Sequence, residues 1–83
     1  MHNQYLQQVI DRGLDMLRSG SVTDEMFSIW LEWSKSVLRM TTNNPRISHD
    51  YMSVVMFAMS SSMRAYDRLS VCMRYLVQML PFL

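Results

Sequence analysis

The chain has 83 residues, a net charge of only +1 and a single cysteine, Cys72. A chain this short forms one domain at most, residues 1–83, and its near-neutral charge gives no electrostatic reason to expect a nucleic-acid partner. One cysteine excludes an internal disulfide and suits a reducing, cytoplasmic location, and the longest apolar run, Val54 to Met59, is far shorter than the roughly 20 residues that a membrane span needs.

The first predicted element is an amphipathic helix from about residue 3 to residue 19. Leu6, Ile10 and Leu14 recur at helical spacing, while glutamine and charged side chains fill the opposite face. Gly20 follows the last turn, where glycine is the usual helix cap. The residues before this helix are polar and uncharged, which is unlike a secretory signal peptide.

A second helix is predicted over residues 24–41, with Thr23 as its N-cap and two acidic residues in its first turn. Asn43, Asn44 and Pro45 predict a turn after it, because the residue before a proline avoids the helical region. An apolar stripe follows steps of four and three residues: Met26, Trp30, Trp33, Val37 and Met40. We expect this stripe to face the core; an interface role for the two tryptophans is the alternative.

The third predicted element is one long helix over residues 49–80, with Ser48 as its N-cap. No glycine or proline interrupts this stretch before Pro81, so a continuous or slightly kinked helix of roughly 48 Å is favoured. The alternative is a break at Ser60–Ser62, because serine hydroxyls compete for backbone hydrogen bonds. A break there would give four helices of similar length.

The apolar surface of this third helix predicts self-association. Residues 51–59 are apolar on nearly all sides, and a helix of this kind must be covered by protein. A continuous third helix would also extend past either short helix, so we expect two copies to pack their long helices together as a symmetric dimer. The candidate self-association residues form a methionine-rich seam: Met52, Met56, Met59, Met63, Tyr66 and Met73.

Other residues are candidates for contact with a different protein. The tail Pro81-Phe82-Leu83 leaves two large apolar side chains, which either fold back onto the bundle or dock on a partner. Three arginines of the last helix form a partial basic face, which is either solvated or in contact with an acidic partner. The candidate partner-binding residues are Phe57, Arg64, Arg68, Arg74, Phe82 and Leu83.

The sequence contains no recognisable catalytic or metal-binding constellation. A row of methionine thioethers suits Cu(I), but adaptable core packing or a pliable binding face is the favoured interpretation. His2 and His49 have no metal-ligand partners at suitable spacing, and no base stands at helical spacing beside Cys72. We therefore expect no enzymatic activity, no cofactor and no metal.

Together, these features predict a small, soluble, all-α bundle that binds a larger protein as an inhibitor, adaptor or small subunit. We expect it to act as a homodimer, without a membrane or nucleic-acid partner. Small proteins of this kind are common among phage and mobile-element products. The alternative is a nucleic-acid-associated regulator that touches phosphate through the arginine face, and it predicts duplex DNA binding that weakens steeply with salt.

Overall fold

The computed structural model describes residues 4–83, and every regular element within them is helical, which confirms the predicted all-α class. His2 and the predicted helix start at residue 3 lie outside these residues. A short 3₁₀ turn, Leu80–Phe82, follows the last of four α-helices. The helices are α1 (Gln4–Ser19), α2 (Asp24–Thr41), α3 (Pro45–Ser60) and α4 (Ala65–Met79).

The helix α1 ends, and α2 begins, at the capping residues that the sequence predicts. Gly20 has a φ of 71°, the left-handed conformation that a helix-ending glycine adopts without a side-chain penalty. The hydroxyl of Thr23 accepts a hydrogen bond from the Met26 N–H at 3.1 Å and so caps α2. The indole of Trp30 then donates to the Val9 carbonyl at 2.9 Å, which ties the two helices together.

The start of α3 differs from the prediction. Its N-cap is Asn44, whose side chain accepts from the Arg46 N–H at 3.0 Å, and Pro45 occupies the first helical turn. The predicted N-cap, Ser48, therefore lies inside the helix. A proline is well suited to the first turn because its missing N–H would have no partner there. The Asn–Pro pair that predicted a turn thus starts a helix.

The predicted continuous helix over residues 49–80 is wrong, because the chain leaves the helical conformation between α3 and α4. Ser61 and Arg64 are extended, each with a ψ of 162°. The hydroxyls of Ser60 and Ser61 both donate to the Phe57 carbonyl, at 3.2 and 2.8 Å. These two bonds are the competition between serine hydroxyls and backbone donors on which the predicted alternative of a break was based.

Because of this break, α3 and α4 fold against each other and build the core from one chain. The helix α4 packs against α1, α2 and α3, whereas α3 packs mainly on α4 and touches α2 at few residues. Met73 lies in the core and approaches Gly13 so closely that a β-carbon there would overlap its sulfur. The four helices have 15 to 18 residues, so no long helix extends past its neighbours and helix length gives no reason to expect a dimer. The buried faces of α3 and α4 consist of Tyr51, Val55, Ala58, Ala65, Leu69, Cys72, Met73 and Leu76.

The core face of α2 is rotated from the predicted stripe. Trp30 is 2% exposed, but Trp33 is 39% exposed and Met40 is 74% exposed. The prediction of one inward stripe through both tryptophans is therefore wrong at Trp33 and Met40. The residues of α2 that are buried are Phe27, Trp30, Leu31, Ser34, Val37 and Leu38. Within residues 4–83, no helix has both the length and the apolar composition that crossing a membrane requires.

Candidate interaction surfaces

Three large apolar side chains lie in a row on the outside of α3. Met52, Met56 and Met59 are 40%, 67% and 48% exposed, and their spacing of four and three residues places them on one side of the helix. No charged residue occurs in the sequence between Tyr51 and Met63. We call these three residues the methionine face.

The other predicted self-association residues do not extend this row. Met63 is half-buried in the connection between α3 and α4, and Met73 is buried in the core. Tyr66 is exposed on α4, where it lines a shallow depression with Arg64 and residues 20–22 of the connection between α1 and α2. The structure thus brings together only half of the predicted seam.

The opposite flank of α3 borders an open apolar groove of about 370 Å³ between α3 and α4. Phe57 is exposed on one wall, and Arg74 lies on the other. Tyr75 closes one side of it, donates to the Ile47 carbonyl at 3.1 Å, and has a raised pKa because of its burial and, secondarily, the nearby Asp50 carboxylate. This α3–α4 groove contains two of the predicted partner-binding residues.

The C-terminal tail folds back onto the bundle only in part. Leu83 is half-buried against the core, and its N–H donates to the Leu80 carbonyl at 3.2 Å. Phe82, in contrast, is among the most exposed apolar residues. The tail therefore folds back through one side chain and leaves the other in solvent.

The predicted arginine face is divided by the hydrogen bonds of Arg68. Its guanidinium donates to the carbonyls of Ala58 and Ser61 at 3.2 and 3.3 Å, which occupies backbone acceptors at the end of α3. Arg64 is almost fully exposed and lies 4.0 Å from the Asp67 carboxylate. These bonds use two of the five N–H donors of Arg68 and hold its guanidinium against the end of α3, which reduces the support for the nucleic-acid alternative.

The variant Arg68→Met is expected to destabilise the protein, because it keeps most of the aliphatic stem and removes both donors. Two charge-assisted bonds at a partly exposed site correspond to a loss of about 1–2 kcal/mol in the free energy of unfolding. The matched change Arg64→Met should stay within about 0.5 kcal/mol of wild type. Urea unfolding measures both, and equal stabilities of the two variants would show that Arg68 does not stabilise the break.

The two most reactive groups of the core are held in their protonated forms. Burial raises the pKa of the Cys72 thiol to about 11, although the Tyr51 hydroxyl partly opposes this. Burial, followed by the neighbouring Cys72, also raises the pKa of Tyr51 above its usual range. A thiol is a nucleophile only as the thiolate, so Cys72 behaves as a core residue at neutral pH. Among the described residues, no three histidine, cysteine, aspartate or glutamate side chains come together at distances suited to a metal ion.

A further groove, between α1 and α2, was not predicted. It has a volume of about 300 Å³, and we call it the α1–α2 groove. The sequence signal was present at Ile29, a large apolar residue outside the predicted stripe that is 66% exposed. Its lining consists of Arg12, Met16, Met26, Ile29, Trp30 and Trp33.

Exposed apolar surface is thus distributed over the methionine face, the α3–α4 groove and the α1–α2 groove. The first two lie on opposite flanks of α3 and the third lies on another pair of helices, so the bundle offers more than one place for a partner to bind. Comparison of the chain with known protein families, with curated proteins and with solved structures found no match.

Proposed function

We propose that the protein is a non-enzymatic interaction module that binds a larger protein as an inhibitor, adaptor or small subunit. In this proposal it forms a homodimer through the methionine face of α3. The larger partner then binds elsewhere on the bundle.

The observation that carries the proposal is the exposed surface of α3 from Tyr51 to Ser60, which carries no charged residue. Its methionine face lies on one flank and Phe57 on the other, so this helix is covered on little more than one side. Scattered apolar residues are normal on protein surfaces, but rows of large apolar side chains mark interaction sites. The buried core does not include these three methionines, so packing within the chain does not explain why this side of α3 is apolar.

Methionine is well suited to such a surface. Its unbranched side chain and polarizable sulfur adapt to the shape of a partner, and methionine is enriched in the centres of protein interfaces. A twofold axis across α3 would place the row of one copy against the row of the other. Because such a contact uses one patch twice, it needs no second complementary surface.

The non-enzymatic part of the proposal is supported by where the reactive groups lie. Cys72 and Tyr51 are buried and protonated, and Ser34 is buried with its hydroxyl donating to the Leu31 carbonyl at 2.7 Å. None of these groups lines the apolar grooves. A catalytic nucleophile would need access to substrate and an adjacent base.

The test of self-association is the solution mass by light scattering over a tenfold range of concentration. We expect the wild type to have the mass of two 9.8 kDa chains and Met56→Arg to have the mass of one. Burying an unpaired guanidinium in an apolar contact is strongly unfavourable, so one substitution is sufficient.

The matched control for this experiment is Met40→Arg, since Met40 is equally exposed but lies on α2. This variant should keep the wild-type mass, and circular dichroism should show the same helix content for all three proteins. A wild-type mass of one chain at every concentration would contradict the dimer. A dimer that persists in Met56→Arg would place the contact away from the methionine face.

A further inference from the structure

The α1–α2 groove has the residues of a protein-binding hot spot. Met16 and Trp30 form its buried floor, while Ile29 and Trp33 project from α2 as exposed walls. The indole N–H of Trp30 already donates to the Val9 carbonyl, so the floor presents apolar surface only. Tryptophan and arginine are the residues that most often dominate binding energy at interfaces, and both occur here.

The two edges of this groove carry opposite charges. Arg12 lies on the α1 edge, and none of the ion pairs between residues 4 and 83 includes it. Glu25 is exposed one turn before Ile29 on the outer edge of α2, and these ion pairs do not include it either. Glu32, one turn after Ile29, is paired with Lys35 at 2.7 Å. A ligand is therefore favoured if it offers a carboxylate to α1 and a cation to α2.

This pattern of charge distinguishes between the possible occupants. A second copy placing its methionine face here would bring no charged side chain from Tyr51–Met63, and because the two surfaces differ, the contact would not close as a symmetric dimer. A membrane surface would require several basic residues around the apolar patch, whereas the outer edge of this groove is acidic. An amphipathic helix can offer both a carboxylate to α1 and a cation to α2, because its apolar stripe is bordered by two polar edges.

We propose that the α1–α2 groove binds an amphipathic helix of a partner protein, with an acidic residue of that helix on Arg12 and a basic residue on Glu25. The proposal rests on the interaction function above and specifies the chemistry of the larger partner. Large apolar side chains of the helix, one turn apart, fill the space between Ile29 and Trp33. The opposite charges at the two edges fix the direction in which the helix lies.

The experiment is a selection of displayed helical peptides against the full-length protein. The peptides have about 18 residues, or roughly 27 Å as a helix, with randomised positions on the apolar stripe and on both polar edges. Enriched peptides are synthesised with a fluorescent label, and their affinities are measured by anisotropy. We expect an apolar stripe with acidic residues on one edge and basic residues on the other.

Variants of the protein then locate the binding site. Trp33→Ala should weaken binding about thirtyfold or more, as expected for a hot spot, and Ile29→Ser should act in the same direction with little effect on the fold. Arg12→Glu should lower the affinity for peptides that carry acidic residues on the edge facing α1. A peptide with lysine in place of that acidic residue should bind Arg12→Glu better than it binds the wild type.

The outcomes separate this proposal from the interaction function. Peptides that bind Trp33→Ala and Ile29→Ser as tightly as wild type, or that do not respond to Arg12→Glu, would overturn the groove assignment. If those peptides instead bind the Met56→Arg variant more weakly than wild type, the protein binds helices through α3. The proposed interaction function then stands, and the assignment to the α1–α2 groove fails. No enrichment above background would count against a helix-binding groove, while the light-scattering result would still decide self-association.

Discussion

Replacing Trp30 by alanine is expected to remove most of the free energy of unfolding. The side chain is 2% exposed, and its ring lies 6.4 Å from that of Phe27. Its indole also holds α1 to α2 through the Val9 carbonyl. Removing a buried aromatic side chain costs about 3–5 kcal/mol, and a small domain has only about 5–15 kcal/mol in total, with short chains near the lower limit.

The matched change is Trp33→Ala, which removes the same side chain from a half-exposed position three residues away. It should cost about 1–2 kcal/mol, because part of the indole is already in water. Urea unfolding followed by circular dichroism measures both free energies. Equal losses for the two variants would contradict the assignment of Trp30 to the core and Trp33 to the surface.

The second large effect is expected from Ser34→Ala, a substitution that removes one buried oxygen. The Ser34 hydroxyl donates to the Leu31 carbonyl, and the Tyr51 hydroxyl lies 2.7 Å from the same oxygen. Since the proton of Ser34 is used by Leu31, Tyr51 must be the donor in the second bond. Alanine at position 34 leaves the buried Tyr51 hydroxyl with only the Cys72 sulfur, a weak acceptor, as a hydrogen-bond partner, which costs about 1–3 kcal/mol.

The partner change Tyr51→Phe is expected to cost less, about 0.5–1.5 kcal/mol, because Ser34 keeps its bond to Leu31. The double variant should be more stable than Ser34→Ala alone, since no unsatisfied hydroxyl remains. Urea unfolding of the three variants forms a double-mutant cycle. Additive losses would show that the bond between Ser34 and Tyr51 carries no coupling energy.

Periodicity and caps were sufficient to predict α1 and α2, because both signals are local. Thr23 and Gly20 act through hydrogen bonds and backbone conformation within one or two turns. The orientation of α2 was less predictable, since its two possible stripes share Trp30 and Val37. Ser34 made the true core face look polar, and its bonds to the Leu31 carbonyl and to Tyr51 on another helix account for its burial.

The end of α3 could not be derived from local signals alone. Helices commonly end at glycine or proline, and neither occurs in this stretch. Instead, two serine hydroxyls occupy the Phe57 carbonyl, and Arg68 reaches back from α4 to the Ala58 carbonyl. The serine run Ser60–Ser62 was predicted as the place for a break, but the hydrogen bonds of Arg68 form only once α4 has packed against α3.

The methionine face could be recognised in the sequence, but the groove beside Trp33 could not. Met52, Met56 and Met59 share a helix, so their spacing alone places them on one side. The groove requires α1 and α2 to lie side by side, and Arg12 is 17 residues from Ile29 in the sequence. A surface assembled from two helices depends on how each is rotated, and the rotation of α2 was the feature that the stripe predicted incorrectly.

The reversal of direction at Ser61–Arg64 also determines the molecularity of folding. The most extensive helix pairings, α1 with α2 and α3 with α4, join segments adjacent in sequence, an arrangement typical of rapid folding. An unbroken helix would have to meet a second chain before its apolar length was covered, and its folding rate would depend on concentration. With the reversal, the core lies within one chain, so its formation is a first-order process, and changes at the exposed residues leave the core contacts in place.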